Sequence, residues 1–509
     1  MSITFEITQI GALLDKKKYT LSKTQKKLLK KTFSINTRTY RGRFNFHINK
    51  YKETNNFILL PRFGILNLCN DKKFIKKFGY EIKIINKLNN YKTNFNIVKE
   101  KNSINLTKNQ NVVIDYILTN IYNKENIKKG LAGTILKMEA GQGKSFIAMK
   151  LIKRLGCKTL IVVHNISLLD QWYSLLKKYF PNLIIGKLYG KKKTDGHIVI
   201  AVIKTLLNSN YNIKGLEEPI NQIKYLKLFH FMIFDESHLY CSKVISTIFN
   251  ICQRTFMLGL SATPKREIDK FDPVSYWNLG KVLDSSKIHG YNKKDANRIA
   301  GKVIFLKYLG PNEFTKHIIN KTNQMVSICK MLEQLIQDPY RINLIIKKTY
   351  ELLEKGHNIF IFADRRKYLL TIKEKLMEST HKIESILLEN LEENLDNKII
   401  DLMGGSSSEK VKIAEKKSRV ILTTYQYLGT GKSIPKMTSI ILATPRKTGS
   451  KQFINRIFRL GYKEHIIRDI IDIVDWRVCM KNQWYHRKKF YIERNFIIEE
   501  KKINYNNIK

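Results

Sequence analysis

Two short strings in this 509-residue chain hold the residue types of phosphate chemistry: MEAGQGKS at Met138–Ser145 and DESH at Asp235–His238. The first has the form of a phosphate-binding loop. Gly141 and Gly143 can take φ values closed to other residues, so that backbone N–H groups across Met138, Glu139, Ala140, Gly141, Gln142 and Gly143 can face a polyphosphate. Lys144 would reach the β- and γ-phosphates, and Ser145 would ligate Mg²⁺. DESH supplies what the loop lacks: Asp235 as a partner for Mg²⁺, and Glu236 as a base orienting the attacking water. The expected chemistry is binding and hydrolysis of ATP or another NTP, with Mg²⁺.

Three further constellations extend this site. LSATP at Leu260–Pro264 puts the hydroxyls of Ser261 and Thr263, on either side of Ala262, where they could bond the DESH segment at His238. QFINRIFR at Gln452–Arg459 sets Gln452, Arg456 and Arg459 at i, i+4 and i+7, which predicts one shared helix face. Two guanidiniums on one face can stabilise charge on a transferring γ-phosphoryl group. Gln110, in LTKNQNVVIDYIL, can bond an adenine edge through both its donor and its acceptor.

These residues need a scaffold, and the apolar pattern provides one. TILKM at Thr134–Met138 reads as a strand feeding the glycine loop, and SFIAMKLIKRL after it has helical periodicity. TLIVV at 159–163, IVIAVI at 198–203, FHFMIF at 229–234 and FMLGLSAT at 256–263 are further strands, and the FHFMIF strand runs into Asp235. Strands alternating with helical stretches predict an α/β parallel sheet with helices on both faces, binding ligands at its carboxyl edge. A second series starts with YELLEKG, capped by Gly356, and continues with NIFIFA at 358–363, RVILTTY at 419–425 and SIILATP at 439–445. The expected division is a basic, β-rich accessory domain over 1–105, with FNFHI and FILLP as strands; a nucleotide-binding domain over 106–300; a linker over 301–337; and a second α/β domain over 338–509. Strand-end loops in VVHNISLLDQW, AVIKTL, FADRRKYL, MGG and TTYQYLGTGKSIP suit nucleic-acid backbone contacts.

Composition points the same way. Lys+Arg number 92 against 43 Asp+Glu, a net charge of +49, which favours a polyanionic partner, DNA or RNA, and salt-sensitive binding. A hydrophobic fraction of 43% allows substantial cores. Six cysteines without a C-x-x-C pair suggest free thiols in a reducing, intracellular compartment. The N-terminus lacks the basic start of a signal peptide, and the apolar runs are of strand length, so no membrane partner is expected.

Taken in order, these motifs resemble superfamily 2 helicases, nearest the group of the repair and transcription helicase XPB, phage UvsW and the poxvirus transcript-release helicases. VVHNISLLDQW is similar to the segment preceding the DExH box there, and DESHLYCSKVISTIFNICQRTFMLGLSATPKR is similar throughout. The length and the Lys/Asn/Ile bias resemble the asfarvirus branch of the poxvirus-type proteins. The resemblance covers about Leu106 to Tyr491, with only LPRFG at Leu60–Gly64 matched before it. It implies two tandem RecA-like domains closing over Mg-ATP, and an ATP-dependent motor stepping along DNA or RNA. Phosphate contacts then fall to Gly141, Gly143 and Lys144, Mg²⁺ to Ser145 and Asp235, and water activation to Glu236. Coupling falls to His238, Ser261 and Thr263, and γ-phosphate sensing to Gln452, Arg456 and Arg459. The setting implied is viral transcription, with the viral transcription machinery as partner, in the infected cell's cytoplasm or the virion. A repair or branch-migration motor and a non-hydrolysing nucleic-acid-binding module are the alternatives. Three residues depart from the family pattern: Met138 where Gly or Ala is usual, Asn455 in place of Gly, and Ser433 in place of an acid.

Overall fold

The computed structural model describes residues 2–38, 45–88, 97, 104–139, 141–208, 210–211, 213, 220–266, 269–293, 299–320, 325–378, 387, 394–404, 406–429, 434–446, 450–459 and 462–508. The chain forms two compact units, 1–139 with 143–293, and 294–509 with 140–142.

The first unit is built on an eight-stranded sheet. In spatial order its strands are Lys192–Lys193, Ile185–Tyr189, Ile198–Val202, Thr159–Val163, Phe231–Asp235, Phe256–Ser261, Gly133–Lys137 and Lys281–Asp284. Every pairing is parallel except the first. Thr159–Val163 and Ile198–Val202 are buried at every position, as strands covered on both faces must be. The strand Gly133–Lys137 leads into the loop, and the helix Lys144–Leu155 follows from Gly143, as the sequence pattern predicts.

The N-terminal segment combines strands with helices. A five-stranded sheet, ordered Lys52–Glu53, Phe57–Leu60, Gly11–Asp15, Ser2–Thr8, Glu81–Asn86, carries the helices Lys23–Thr32, Arg62–Leu68 and Lys72–Phe78. Ser2–Thr8 alternates half-buried and buried residues, placing Ile3, Phe5 and Ile7 on one inner face. These side chains join a single core with Leu160, Val162, Met232 and Phe234 of the large sheet. Arg62, in the LPRFG segment, is fully buried at the junction. Its Nε donates to the Gly130 carbonyl at 2.8 Å, and its two terminal nitrogens donate to the Arg254 and Thr255 carbonyls. Burial lowers its pKa to about 9, which leaves it charged at neutral pH. The N-terminal sheet is thus joined to the nucleotide-binding sheet as one body.

The second unit carries a seven-stranded, all-parallel sheet, ordered Ile399–Leu402, Val420–Thr424, Ile359–Ala363, Ser439–Leu442, Arg468–Asp475, Gly301–Leu309, Ile497–Asn504. The stretch 301–337, expected as a linker, opens with one of these strands. Gly301–Leu309 pairs on both sides with segments far downstream, and pairing of that kind leaves no local signal in the sequence. Arg468–Asp475, buried at every position, is equally opaque because its run RDIIDIVD carries acids that find partners only in the fold.

Replacing Arg62 with Ala would leave three carbonyls stranded in a dry interface. Urea denaturation should show a loss of roughly 3 kcal/mol or more. An unchanged midpoint would mean that the N-terminal sheet lies outside the cooperative core.

Candidate nucleotide-binding and hydrolysis site

The loop after Gly133–Lys137 is shaped by its glycines. Gly141 and Gly143 both sit at φ 85°, in the left-handed region. A Cβ on Gly143 would also stand 2.2 Å from Gln110 Nε2, so the position is closed to side chains twice over. Met138 is 3% exposed and packs in the core with Leu136 and Ile147, and its N–H donates to the Ser261 carbonyl at 3.2 Å. The larger residue at this family-variable position is thereby absorbed by packing. Lys144 Nζ donates to the carbonyls of Met138 and Glu139 at 2.9 and 3.1 Å, which lays the ammonium over the loop. Ser145 follows in the first turn of the helix, where N–H groups and the helix dipole favour anions. Ala140 lies outside the described residues.

Gln110 is neither an exposed helix residue nor fully available to a base. It is buried and forms a capping box with Thr107: Thr107 N–H donates to Gln110 Oε1 at 2.9 Å, and Gln110 N–H donates back to Thr107 Oγ1. Its acceptor oxygen is engaged with backbone, while its amide nitrogen lies against the loop.

Asp235 ends the strand Phe231–Asp235, beside the loop. Trp172 Nε1 donates to its Oδ2 at 2.8 Å, and the Glu236 N–H donates to its Oδ1 at 3.0 Å. Burial, with Glu236 second, raises its pKa to about 6, against the lowering effects of Trp172 and Lys144. Glu236 takes φ 51°, ψ 53°, unusual for a residue with a side chain; this kink turns the chain from the strand into the 3₁₀ turn Ser237–Cys241. His238 Nδ1 lies 3.0 Å from Ser261 Oγ and 3.5 Å from Glu236 Oε2. Thr263 N–H donates to Ser261 Oγ at 3.1 Å. Burial foremost, then Arg266, pushes His238 down to about 4, so its ring is neutral at neutral pH. The expected contact of His238 with the Ser261 hydroxyl is present, whereas Thr263 meets Ser261 Oγ through its backbone N–H, with Ala262 between them.

Two residues outside the sequence reading complete this half. Trp172, read only as part of a strand-contacting loop, orients the Asp235 carboxylate. Arg266 donates to the His238 carbonyl at 2.5 Å and grips Asp269 with its Nε and second terminal nitrogen. Arg266 directly follows LSATPK, and that adjacency was its only signal. Nothing in the sequence joins Trp172 to Asp235.

In the second unit the expected helix face is broken. The α-helix is Ser450–Ile454, Asn455–Ile457 is a 3₁₀ turn, and Arg459 follows it. Gln452, Arg456 and Arg459 therefore do not form an i, i+4, i+7 stripe. Asn455 is buried, and its Oδ1 has no hydrogen-bond partner among the described residues. Elsewhere in this unit the FADRR segment meets the end of SIILATP. Arg446 donates to Asp364 Oδ1 at 2.9 Å, and the Asp364 N–H donates to Thr444 Oγ1 at 3.0 Å. Ser433 lies outside the described residues.

The donor set fits Mg-ATP. Mg²⁺ takes one or two protein oxygens together with substrate phosphates, so the absence of a three-residue His/Cys/Asp/Glu cluster among the described residues does not count against it. A carboxylate anchored from behind by an indole N–H and a backbone N–H, with a loop lysine and a helix-start serine nearby, is a suitable set.

Comparison with known proteins agrees with this geometry. The family model described as "Type III restriction enzyme, res subunit" matches residues 103–266. The chain is 28% identical over 386 residues to a protein of African swine fever virus (isolate Pig/Kenya/KEN-50/1950) provisionally named an ATP-dependent RNA helicase, covering 71% of this chain and 69% of that one. It is 24% identical over 516 residues to a protein of Acanthamoeba polyphaga mimivirus with the same provisional name, covering 99% and 89%. Among solved structures, an HsdR-subunit fragment from Vibrio vulnificus superposes with a TM-score of 0.50 at 14% identity over 86% of this chain and 74% of that one. T4 UvsW is matched over 99% of this chain and all of that one at 18% identity, with a TM-score of 0.39. The fold is that of tandem RecA-like domains, α/β with parallel sheets, as the sequence predicts.

Two measurements bear on the carboxylate. Protonated Asp235 cannot ligate a cation, so Mg-ATP affinity should fall as the pH drops through about 6; a flat affinity between pH 5 and 8 would contradict this. Trp172→Phe removes the donor to Asp235 and should weaken Mg²⁺-dependent turnover by about 10-fold or more, seen in a Mg²⁺ titration of ATPase activity.

Proposed function

We propose that this ATP-dependent helicase of superfamily 2 couples ATP hydrolysis to movement along a nucleic-acid strand, in viral transcription. What carries the reading is the convergence of a loop lysine, a strand-end carboxylate and the DESH histidine, with His238 3.0 Å from Ser261 Oγ. The viral setting is supported by relatives that belong to viruses, and the polyanionic partner by the net charge of +49.

In this reading Gly141 and Gly143 open the loop backbone to the phosphates, and Lys144 exchanges its two carbonyl partners for phosphate oxygens. Ser145 and Asp235 hold Mg²⁺, which when bound offsets the charge growing on the β- and γ-oxygens. Glu236 accepts the proton of the attacking water. His238, neutral and tied to Ser261, shifts when the γ-phosphate leaves, and Thr263 N–H passes that shift along the segment after the strand. Gln452, Arg456 and Arg459 supply positive charge and hydrogen bonds to the transferring group.

ATP turnover should be stimulated by nucleic acid, and comparison of single- and double-stranded DNA and RNA across a salt series identifies the track. Lys144→Ala and Glu236→Gln should each lower turnover by about 10²-fold or more, with strand binding retained in filter-binding assays. Unchanged hydrolysis in both variants would overturn the assignment. Absence of stimulation by any nucleic acid would favour a non-hydrolysing binding module, the reading to which the buried Asn455 oxygen and the broken helix lend weight.

A further inference from the structure

The α-helix Ser450–Ile454 gives way to the 3₁₀ turn Asn455–Ile457, Arg459 follows, and a strand begins at Arg468. Irregular backbone has no ladder to satisfy its carbonyls or to fix its path. Arg468 is fully buried at that strand's first position. Its Nε donates to the Ile457 carbonyl at 2.7 Å. One terminal nitrogen donates to the Lys463 and Ile466 carbonyls at 2.9 and 3.1 Å, and the other to the Tyr462 carbonyl at 2.7 Å. Four backbone acceptors thus converge on one guanidinium, whose five N–H groups form a rigid fork. Lys463, one of the four, sits at φ 39°, a left-handed conformation that needs outside support in a residue with a side chain. The grip on Ile457 falls between Arg456 and Arg459. A second anchor reinforces it: the Asn358 amide donates to the Tyr462 hydroxyl at 3.2 Å.

We propose that Arg468 is a positioning residue for ATP hydrolysis: by clamping the Ile457, Tyr462, Lys463 and Ile466 carbonyls it fixes the backbone from which Arg456 and Arg459 reach the γ-phosphate. This rests on the assignment of those two arginines to the transferring phosphoryl group. Arginine is the residue suited to the task. A lysine at this position would have one point of attachment and cannot span carbonyls spread over ten residues of chain.

The test compares Arg468→Lys, Arg468→Gln and Arg459→Ala in the full chain. Turnover is counted per ADP-binding site, so that unfolded protein does not enter the rate. Clamp loss should lower kcat about 10- to 100-fold, the range expected when a charged group is displaced by about an ångström, while the KM for ATP and the affinity for ADP stay within about two-fold. Trapping of ADP with tetrafluoroaluminate, which mimics the transferring group, should be lost in parallel with kcat, with more retained in Arg468→Lys than in Arg468→Gln. If Arg459→Ala turns over ATP at the normal rate, the assignment of the arginines to the γ-phosphate fails and the clamp proposal with it. If Arg459→Ala is inactive while both Arg468 variants keep full kcat and full trapping per site, only the clamp proposal is overturned. A lowered melting temperature with unchanged kcat per site would show a structural role alone, and would also overturn it.

Discussion

A half-buried carboxylate at the end of a parallel strand constrains the first unit. Asp235 is partly withdrawn from water, and a charge so placed needs hydrogen-bond partners. Its support comes from three separated places: the indole of Trp172 on the helix Ile166–Tyr179, the N–H of Glu236 made available by a left-handed kink, and the field of Lys144. Each partner constrains the next. The kink that frees the Glu236 N–H also sends the chain into the turn that carries His238 to Ser261. Ser261 in turn ends the strand whose carbonyl holds Met138 at the start of the loop. The site is therefore a series of contacts linking neighbouring strand ends.

Buried arginines do comparable work where the backbone is irregular. Arg62, Arg254 and Arg468 donate to main-chain carbonyls, Arg254 to those of Leu226, Gln253 and Ile251. A buried carbonyl without a partner is costly, and one guanidinium can satisfy several at fixed angles. Arg341 and Arg487, each within a helix, add the carboxylates of Asp475 and Asp472 to the carbonyls of Ala443 and Arg446. In a chain this rich in basic residues, five guanidiniums so placed contribute to the fold rather than to a surface field.

Much of the scaffold was legible in the sequence. TLIVV and IVIAVI are short, continuous apolar runs bounded by turns, and both are strands buried on both faces. The helix after the loop follows from periodicity and the preceding glycine. The reading failed where one pattern admits two geometries. QFINRIFR has the spacing of a helix face, but the helix ends before Asn455, because a spacing rule presumes the helix continues. Gln110 has the donor and acceptor to read a base, yet the Thr107 N–H three residues back takes the acceptor first. Gly301–Leu309 carries no local strand signal, because its hydrogen-bonding partners lie more than a hundred residues away in sequence.

The sequence alone determined the chemical inventory: a glycine loop with its lysine and serine, an acidic pair behind an apolar strand, hydroxyls after another strand, and two arginines near the end. Those are local facts, fixed by residue type and near spacing. Only the tertiary structure decided which groups support them. Trp172 reaches Asp235, Arg62 binds the N-terminal sheet to the nucleotide-binding sheet, and Arg468 gathers four carbonyls, because long side chains in a packed interior bond whatever the chain topology brings within 3 Å. That proximity is a property of the packed core, and no spacing along the chain encodes it.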